Sequence, residues 1–226
     1  MGDAVGQMLA SAVGIAISPV PLIAIVLMLA TPRGRANGLA FTVGWVLSLA
    51  AVVTVVVLAG SGADASGGDD GPATWTLWLK LGLGLLFLLM GAKQWKDRPR
   101  EGQDAELPGW MKAIDTFPPG KAAGLAVALA VANPKNLVLA VGGAVSIAGS
   151  DASAGGKAVA GALMVLIGSL CTLAPLGVYL LGGAKSAEVL AGWKAWMARH
   201  NAAIMTTLLV VLGAKYVGDA LTGLAR

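Results

Sequence analysis

Apolar residues run along this chain in six long blocks separated by short polar stretches. The blocks cover residues 5–30, 38–60, 75–95, 122–148, 157–182 and 202–222. They are too long for strands and too uniformly apolar for helices that lie on an aqueous surface. Crossing about 30 Å of hydrocarbon takes roughly 20 helical residues, so each block predicts one membrane span. Backbone groups in lipid must be satisfied inside their own segment or a closed barrel. The predicted fold is therefore an all-α integral membrane bundle of six transmembrane helices, a single membrane domain over residues 1–226. No Lys or Arg precedes Arg33, so the first block reads as a retained span and not as a secretory signal with a basic leader.

Composition agrees with the pattern. The chain is 57% hydrophobic and 12% charged, with mean hydropathy +0.77. A soluble domain carries about 25% charged residues, so this chain lacks the polar surface to cover a globule in water. Cys171 and His200 are the only residues of their types, which excludes an intrachain disulfide and argues against a thiolate metal site or a Cys–His nucleophile pair. No phosphate-cradling glycine motif follows a strand pattern. No metal, no cofactor and no enzyme activity are expected. The net charge of +4 does not point to nucleic acid, because the cations are gathered in particular connectors.

Those connectors orient the chain. The first carries Arg33 and Arg35, the third Lys93, Lys96, Arg98, Arg100, Lys112 and Lys121, and the fifth Lys185, Lys194 and Arg199. The second has Asp64, Asp69 and Asp70 without a cation, and the fourth has only Lys157. The positive-inside rule then makes the odd connectors cytoplasmic and places both termini outside a cytoplasmic (inner) membrane crossed several times. Within the connector at 96–121, Trp110, Met111, Ile114 and Phe117 recur at helical spacing opposite Lys112 and Asp115. Val189, Leu190, Trp193, Trp196 and Met197 do the same in the fifth connector. Both stretches are expected to be Trp-anchored interfacial helices on the inner leaflet.

The two halves resemble each other. "LLMGAKQWKD" at 88–97 matches "VVLGAKYVGD" at 210–219, and "GRA" at 34–36 matches "GKA" at 156–158 at the same offset. "ISPVP" in the first span answers "ANPKN" in the fourth. Repeats of three spans must insert in opposite senses, so residues 1–95 and 122–226 are expected to form two inverted three-helix repeats, with helices 1 and 4 broken at proline.

The chemistry lies at those two breaks. Pro19, Pro21 and Pro134 cannot donate to the carbonyls one turn earlier, and Ser18, Asn133 and Asn136 offer polar groups beside them. Lys135 falls near the centre of the fourth span, where a cation costs a few kcal/mol or more and must face the bundle interior or water. Pro-interrupted segments at corresponding places of two halves mark a transporter site. Lys215 and Asp219, spaced i,i+4 late in the sixth span, form a candidate coupling pair. A desolvated Lys135 is a candidate proton-linked switch. Lys80, near the start of the third span, is expected to snorkel to the headgroups. Pro175 interrupts the fifth span, as a hinge or a bend.

"ISPVPL" and "NPKNL" are similar to the proline and Asn-Pro-Lys signatures of the lysine-exporter (LysE) superfamily. The stretch "PGWMKAIDTFPPGKAAGLAVALAVANPKNLVLA" resembles, more narrowly, the GAP/Sap group of actinobacterial peptidoglycolipid- and sulfolipid-addressing proteins. The resemblance implies six spans in two inverted repeats and movement of a cell-envelope lipid or glycolipid across or out of the membrane, often beside a larger lipid exporter. It carries Ser18, Pro19 and Pro21, and Asn133, Pro134, Lys135 and Asn136, over as substrate-binding residues. Amino-acid exporters usually place Gly between the two prolines, where this chain has Val20. Two alternatives stay open at this level: a proton-driven exporter of amino acids or another small solute, and an accessory subunit of a larger lipid exporter. Spans rich in small residues also permit a homodimer.

The topology has a direct check. In a Cys171→Ser background, Ser153→Cys should react with a membrane-impermeant maleimide added outside intact cells, and Arg35→Cys should react only after permeabilisation. The reverse pattern overturns the orientation.

Overall fold

The computed structural model describes residues 2–64, 74–96, 98 and 113–225. The described residues form nine α-helices: α1 Gly2–Ala16, α2 Pro19–Leu29, α3 Gly34–Asp64, α4 Thr74–Lys96, α5 Pro119–Val127, α6 Pro134–Ala148, α7 Ala154–Gly168, α8 Leu170–Leu181 and α9 Ser186–Leu224. A π-turn, Ala128–Ala132, continues α5 toward α6. Among the described residues, three helices are long and apolar enough to cross a membrane: Gly34–Ser61, Leu77–Lys96 and Gly183–Leu224. The count rises to six if each bent pair is one span: α1 with α2 at 47°, the α5–π segment with α6 at 65°, and α7 with α8 at 57°.

The bends have local causes. Ser18 and Asn133 each precede a proline and adopt nearly the same extended backbone, φ −73°, ψ 114° and φ −77°, ψ 113°. Steric conflict with the proline ring drives the preceding residue out of the helical region. The third bend corrects an expectation. It falls at Ser169, between Gly168 and Leu170, while Pro175 lies inside α8. Sharp helix kinks occur at Gly/Ser pairs as well as at proline, and Gly168–Ser169 is such a pair.

The fifth connector also differs from its expected form. Residues 186–200 are not a separate interfacial helix but the first part of α9. At 1.5 Å per residue α9 is about 58 Å long, nearly twice the hydrocarbon thickness, so part of it emerges from the bilayer. Its expected apolar face is split: Leu190 and Met197 are buried, whereas Val189, Trp193 and Trp196 face outward. In the third connector, Trp110, Met111 and Lys112 lie outside the described residues. The described end is a single 3-10 turn, Ile114–Thr116, and Ile114 is buried in the core and not laid on lipid.

Two layers of contact organise the bundle. α1 packs on α6 and α7, and α3 on α5 and α6, around Trp45, Phe41, Met8 and Leu139. α2 is buried on nearly every side, as an apolar half-helix in the middle of a bundle must be. The outward faces stay apolar: Leu47, Val55, Leu58 and Leu89 are each more than 60% exposed. Water does not tolerate such a surface, whereas lipid does.

α4 and α9 form the closest pair, at a crossing set by two glycines. A Cβ at Gly84 would sit 2.9 Å from the Val217 amide nitrogen and 3.0 Å from the Gly213 carbonyl oxygen. Small residues let backbones approach where the hydrophobic effect no longer drives association. At Gly82 the same Cβ would meet nothing within 4 Å. Gly84→Leu is therefore expected to cost about 1–3 kcal/mol by overpacking, read as a lowered midpoint of thermal unfolding in detergent. Gly82→Leu should leave the midpoint close to wild type, and equal losses would rule out the close crossing.

Candidate functional site

Because the chain bends at Ser18 and at Asn133, the first turns of α2 and α6 meet inside the bundle. Lys135, in the first turn of α6, donates from Nζ to Ser18 Oγ at 2.7 Å. Ser18 Oγ donates in turn to Asn136 Oδ1 at 2.8 Å. Asn136 Nδ2 donates to the Leu129 carbonyl at 3.0 Å. Leu129 belongs to the π-turn, where the usual ladder is interrupted, so the amide side chain satisfies a carbonyl that lipid could not. Asn133 Oδ1 accepts from the Lys135 backbone N–H at 3.1 Å, which caps α6. Ser18 makes no such cap, since its hydroxyl is spent on the chain to Asn136. At the first break the Ile15 carbonyl, expected to be underbonded, accepts from the Ser18 N–H at 3.0 Å.

Burial of this cluster is nearly complete. Ser18 is 1% exposed, Lys135 2% and Asn136 0%. Among the described residues, the one salt bridge within 4.0 Å joins Lys215 to Asp219, so no carboxylate neutralises Lys135. An ammonium has three donors, and among the described residues one of the three at Lys135 is engaged. Two helix N-termini add to the positive field, each equivalent to about half an elementary charge. Together these groups favour an anion: the free ammonium donors supply the charge, and the positive ends of the α2 and α6 helix dipoles add to it.

The predicted site residues divide accordingly. Ser18, Lys135 and Asn136 form one hydrogen-bonded chain, with Asn133 beside it. Pro19 and Pro134 open α2 and α6 and act through the backbone. Pro21 is buried in the first turn of α2 and brings no polar side-chain atom. Lys215 and Asp219 pair with each other at 2.6 Å on a surface 36% and 42% exposed, and no hydrogen bond among the described residues joins them to the cluster.

A set of polar residues around the kink at Ser169 escaped the sequence reading. Trp45 Nε1 donates to the Gly168 carbonyl at 3.4 Å, Cys171 Sγ approaches the same oxygen at 3.5 Å, and Thr172 Oγ1 donates to the Ser169 carbonyl at 3.0 Å. A Cβ at Gly168 would sit 3.4 Å from Ile15 Cγ2, which brings the third bend close to the first. The signal was there, as "GSLCT" at 168–172 sets four small or polar residues around one Leu.

A family model described as "Sap, sulfolipid-1-addressing protein" matches residues 8–222. The chain belongs to this family. The match takes in both proline breaks, so the Ser18–Lys135–Asn136 cluster lies within the matched residues. It also ties this membrane protein to lipid addressing. No curated protein and no solved structure matches the chain.

The cluster's structural role can be measured apart from transport. Asn136→Leu removes the acceptor of the Ser18 O–H and the side-chain donor to the Leu129 carbonyl. Each buried polar group left unsatisfied costs about 1–3 kcal/mol. We expect a clear loss of unfolding stability in detergent, and a smaller one for Val141→Leu at a half-buried position of the same helix. An unchanged Asn136→Leu midpoint would show that the carbonyl does not depend on the amide.

Proposed function

We propose that this protein moves an anionic membrane lipid or glycolipid across or out of the bilayer, and that the headgroup is received at the Ser18–Lys135–Asn136 cluster. The supporting observation is the buried Lys135 ammonium, set where two helix N-termini converge and lacking a carboxylate neighbour among the described residues. A lone buried cation is costly, and inside a membrane it marks a substrate or ion pathway by default. An anionic headgroup supplies the counter-charge and relieves that cost.

The reading carries a topology with it. Two inverted three-helix repeats, at 1–95 and 122–226, are supported by the matching backbone at Ser18 and Asn133 and by reciprocal packing. α1 lies against α7 as α3 lies against α5, and each repeat's last span, α4 or α9, lies against the other. The cation-rich odd connectors support termini on the outer side of an inner membrane. Helix ends converging from two repeats suit alternating access around one site.

Reconstitution of the purified chain into liposomes tests the function. Lys135→Gln should slow the flip of a fluorescent anionic lipid by at least about tenfold, the worth of a charge-assisted hydrogen bond, while the unfolding midpoint stays near wild type. Proton-driven movement of an amino acid in place of lipid would establish the small-solute exporter. A folded but inert pure protein would establish an accessory subunit of a larger lipid exporter.

A further inference from the structure

A second feature bears on lipid and lies outside the cluster. A cavity of about 810 Å³ runs between α3 and α7, and its lining includes neither Ser18, Lys135 nor Asn136. Ala50, Thr54 and Leu58 form one wall, and Ala158, Ala162 and Val165 the other. Ala158 and Ala162 sit one turn apart on the outward face of α7, where their short side chains leave a trough that larger residues would fill.

The two ends of the trough are polar and unlike each other. At the end near the α6–α7 connector stands Lys157, which donates from Nζ to the Ala148 carbonyl and to Ser61 Oγ at 3.4 Å. Those bonds fix the ammonium at the rim. One of its three donors is uncommitted among the described residues, and no carboxylate there lies within 4.0 Å. At the deep end lies Ser169, fully buried, whose Oγ has no hydrogen-bond partner. Ser169 is the kink residue between α7 and α8, and Gly168 before it packs against Ile15, three residues from Ser18. The trough therefore connects the membrane interface with the bend beside the buried cluster.

Its length fits one leaflet. The helical rise from Lys157 to Ser169 is about 18 Å at 1.5 Å per residue, slightly more than half of a hydrocarbon core of about 30 Å. A fixed cation at the interface, an apolar trough of leaflet depth below it and no anionic residue among the described lining residues match one chemistry. We infer that the α3–α7 trough is a seat for an anionic lipid, with one acyl chain in the trough and the headgroup on Lys157. With the termini outside, as proposed above, that end opens to the outer leaflet. The seat extends the lipid reading and is separable from transport at Lys135.

Native mass spectrometry of the full chain in detergent, titrated with phosphatidylglycerol or phosphatidylcholine, tests the seat. Wild type should prefer phosphatidylglycerol by about tenfold, as one charge-assisted contact provides. Lys157→Gln should bring that preference close to unity, and Lys157→Arg should keep it. Ala162→Phe, which fills the trough from its exposed wall, should lose bound lipid of both kinds while the unfolding midpoint holds. Lys135→Gln should keep the preference whatever it does to transport. The seat is overturned if Lys157→Gln and Ala162→Phe bind as wild type does, or if the preference disappears with Lys135→Gln instead. It is also overturned if Ala162→Phe alters only a monomer–dimer balance, which would make the trough a contact between two copies.

Discussion

The hydrogen-bond chain from Lys135 through Ser18 and Asn136 to the Leu129 carbonyl closes two helix breaks at once, and the bundle is arranged around that closure. An interrupted helix in hydrocarbon exposes backbone groups that no solvent can satisfy, at several kcal/mol each. Here each break supplies what the other lacks. Ser18, freed from capping its own helix, bridges to α6, and Asn136 reaches back to the π-turn that precedes its own. The half-helix α2 can then be apolar on nearly every side, because its polar end is already engaged. α1 and α3 both pack against α6, the helix that carries Lys135 and Asn136.

Three lysines of this chain show how little residue type alone decides. Lys215 sits one turn from Asp219 on an exposed face and is neutralised there. Such a pair contributes little to stability. Lys157 stands at a helix end, where the Ala148 carbonyl and a serine hydroxyl hold it at the rim of an apolar trough. Lys135 occupies the positive end of α6, the place a helix dipole least favours a cation, and is 2% exposed. A position so unfavourable for a cation becomes favourable when an anion arrives, and on that ground the headgroup site is proposed at Lys135 and not at Lys215. The trough, with Lys157 at its rim, and the cluster around Lys135 are lined by different residues, and the two lysines sit in unlike surroundings.

The six apolar blocks, the aspartates of the second connector and the prolines at 19 and 134 could be read directly, since span length, loop charge and proline stereochemistry are local properties. The kink at Ser169 was assigned to Pro175 because proline is the stronger breaker in isolation. In the bundle Trp45 and Cys171 reach the Gly168 carbonyl, and the Ser169 carbonyl accepts from the Thr172 and Leu173 N–H groups, so the backbone at the bend stays bonded. The stretch before the sixth span looked like an independent interfacial helix. Nothing within it breaks a helix, and once Leu190 and Met197 found the core it continued into α9.

What the sequence determined by itself was thus a membrane bundle and the identity of its polar intruders. Hydropathy and backbone stereochemistry act over one or two helical turns and need no partner. Only the tertiary structure decided that Ser18 and Lys135, more than a hundred residues apart, share a hydrogen bond, that Lys215 and Asp219 keep to themselves, and that small residues on α7 face a gap and not a neighbour. Each of these depends on which helices lie side by side, and so on packing across the whole bundle, a property carried by no single stretch of the chain.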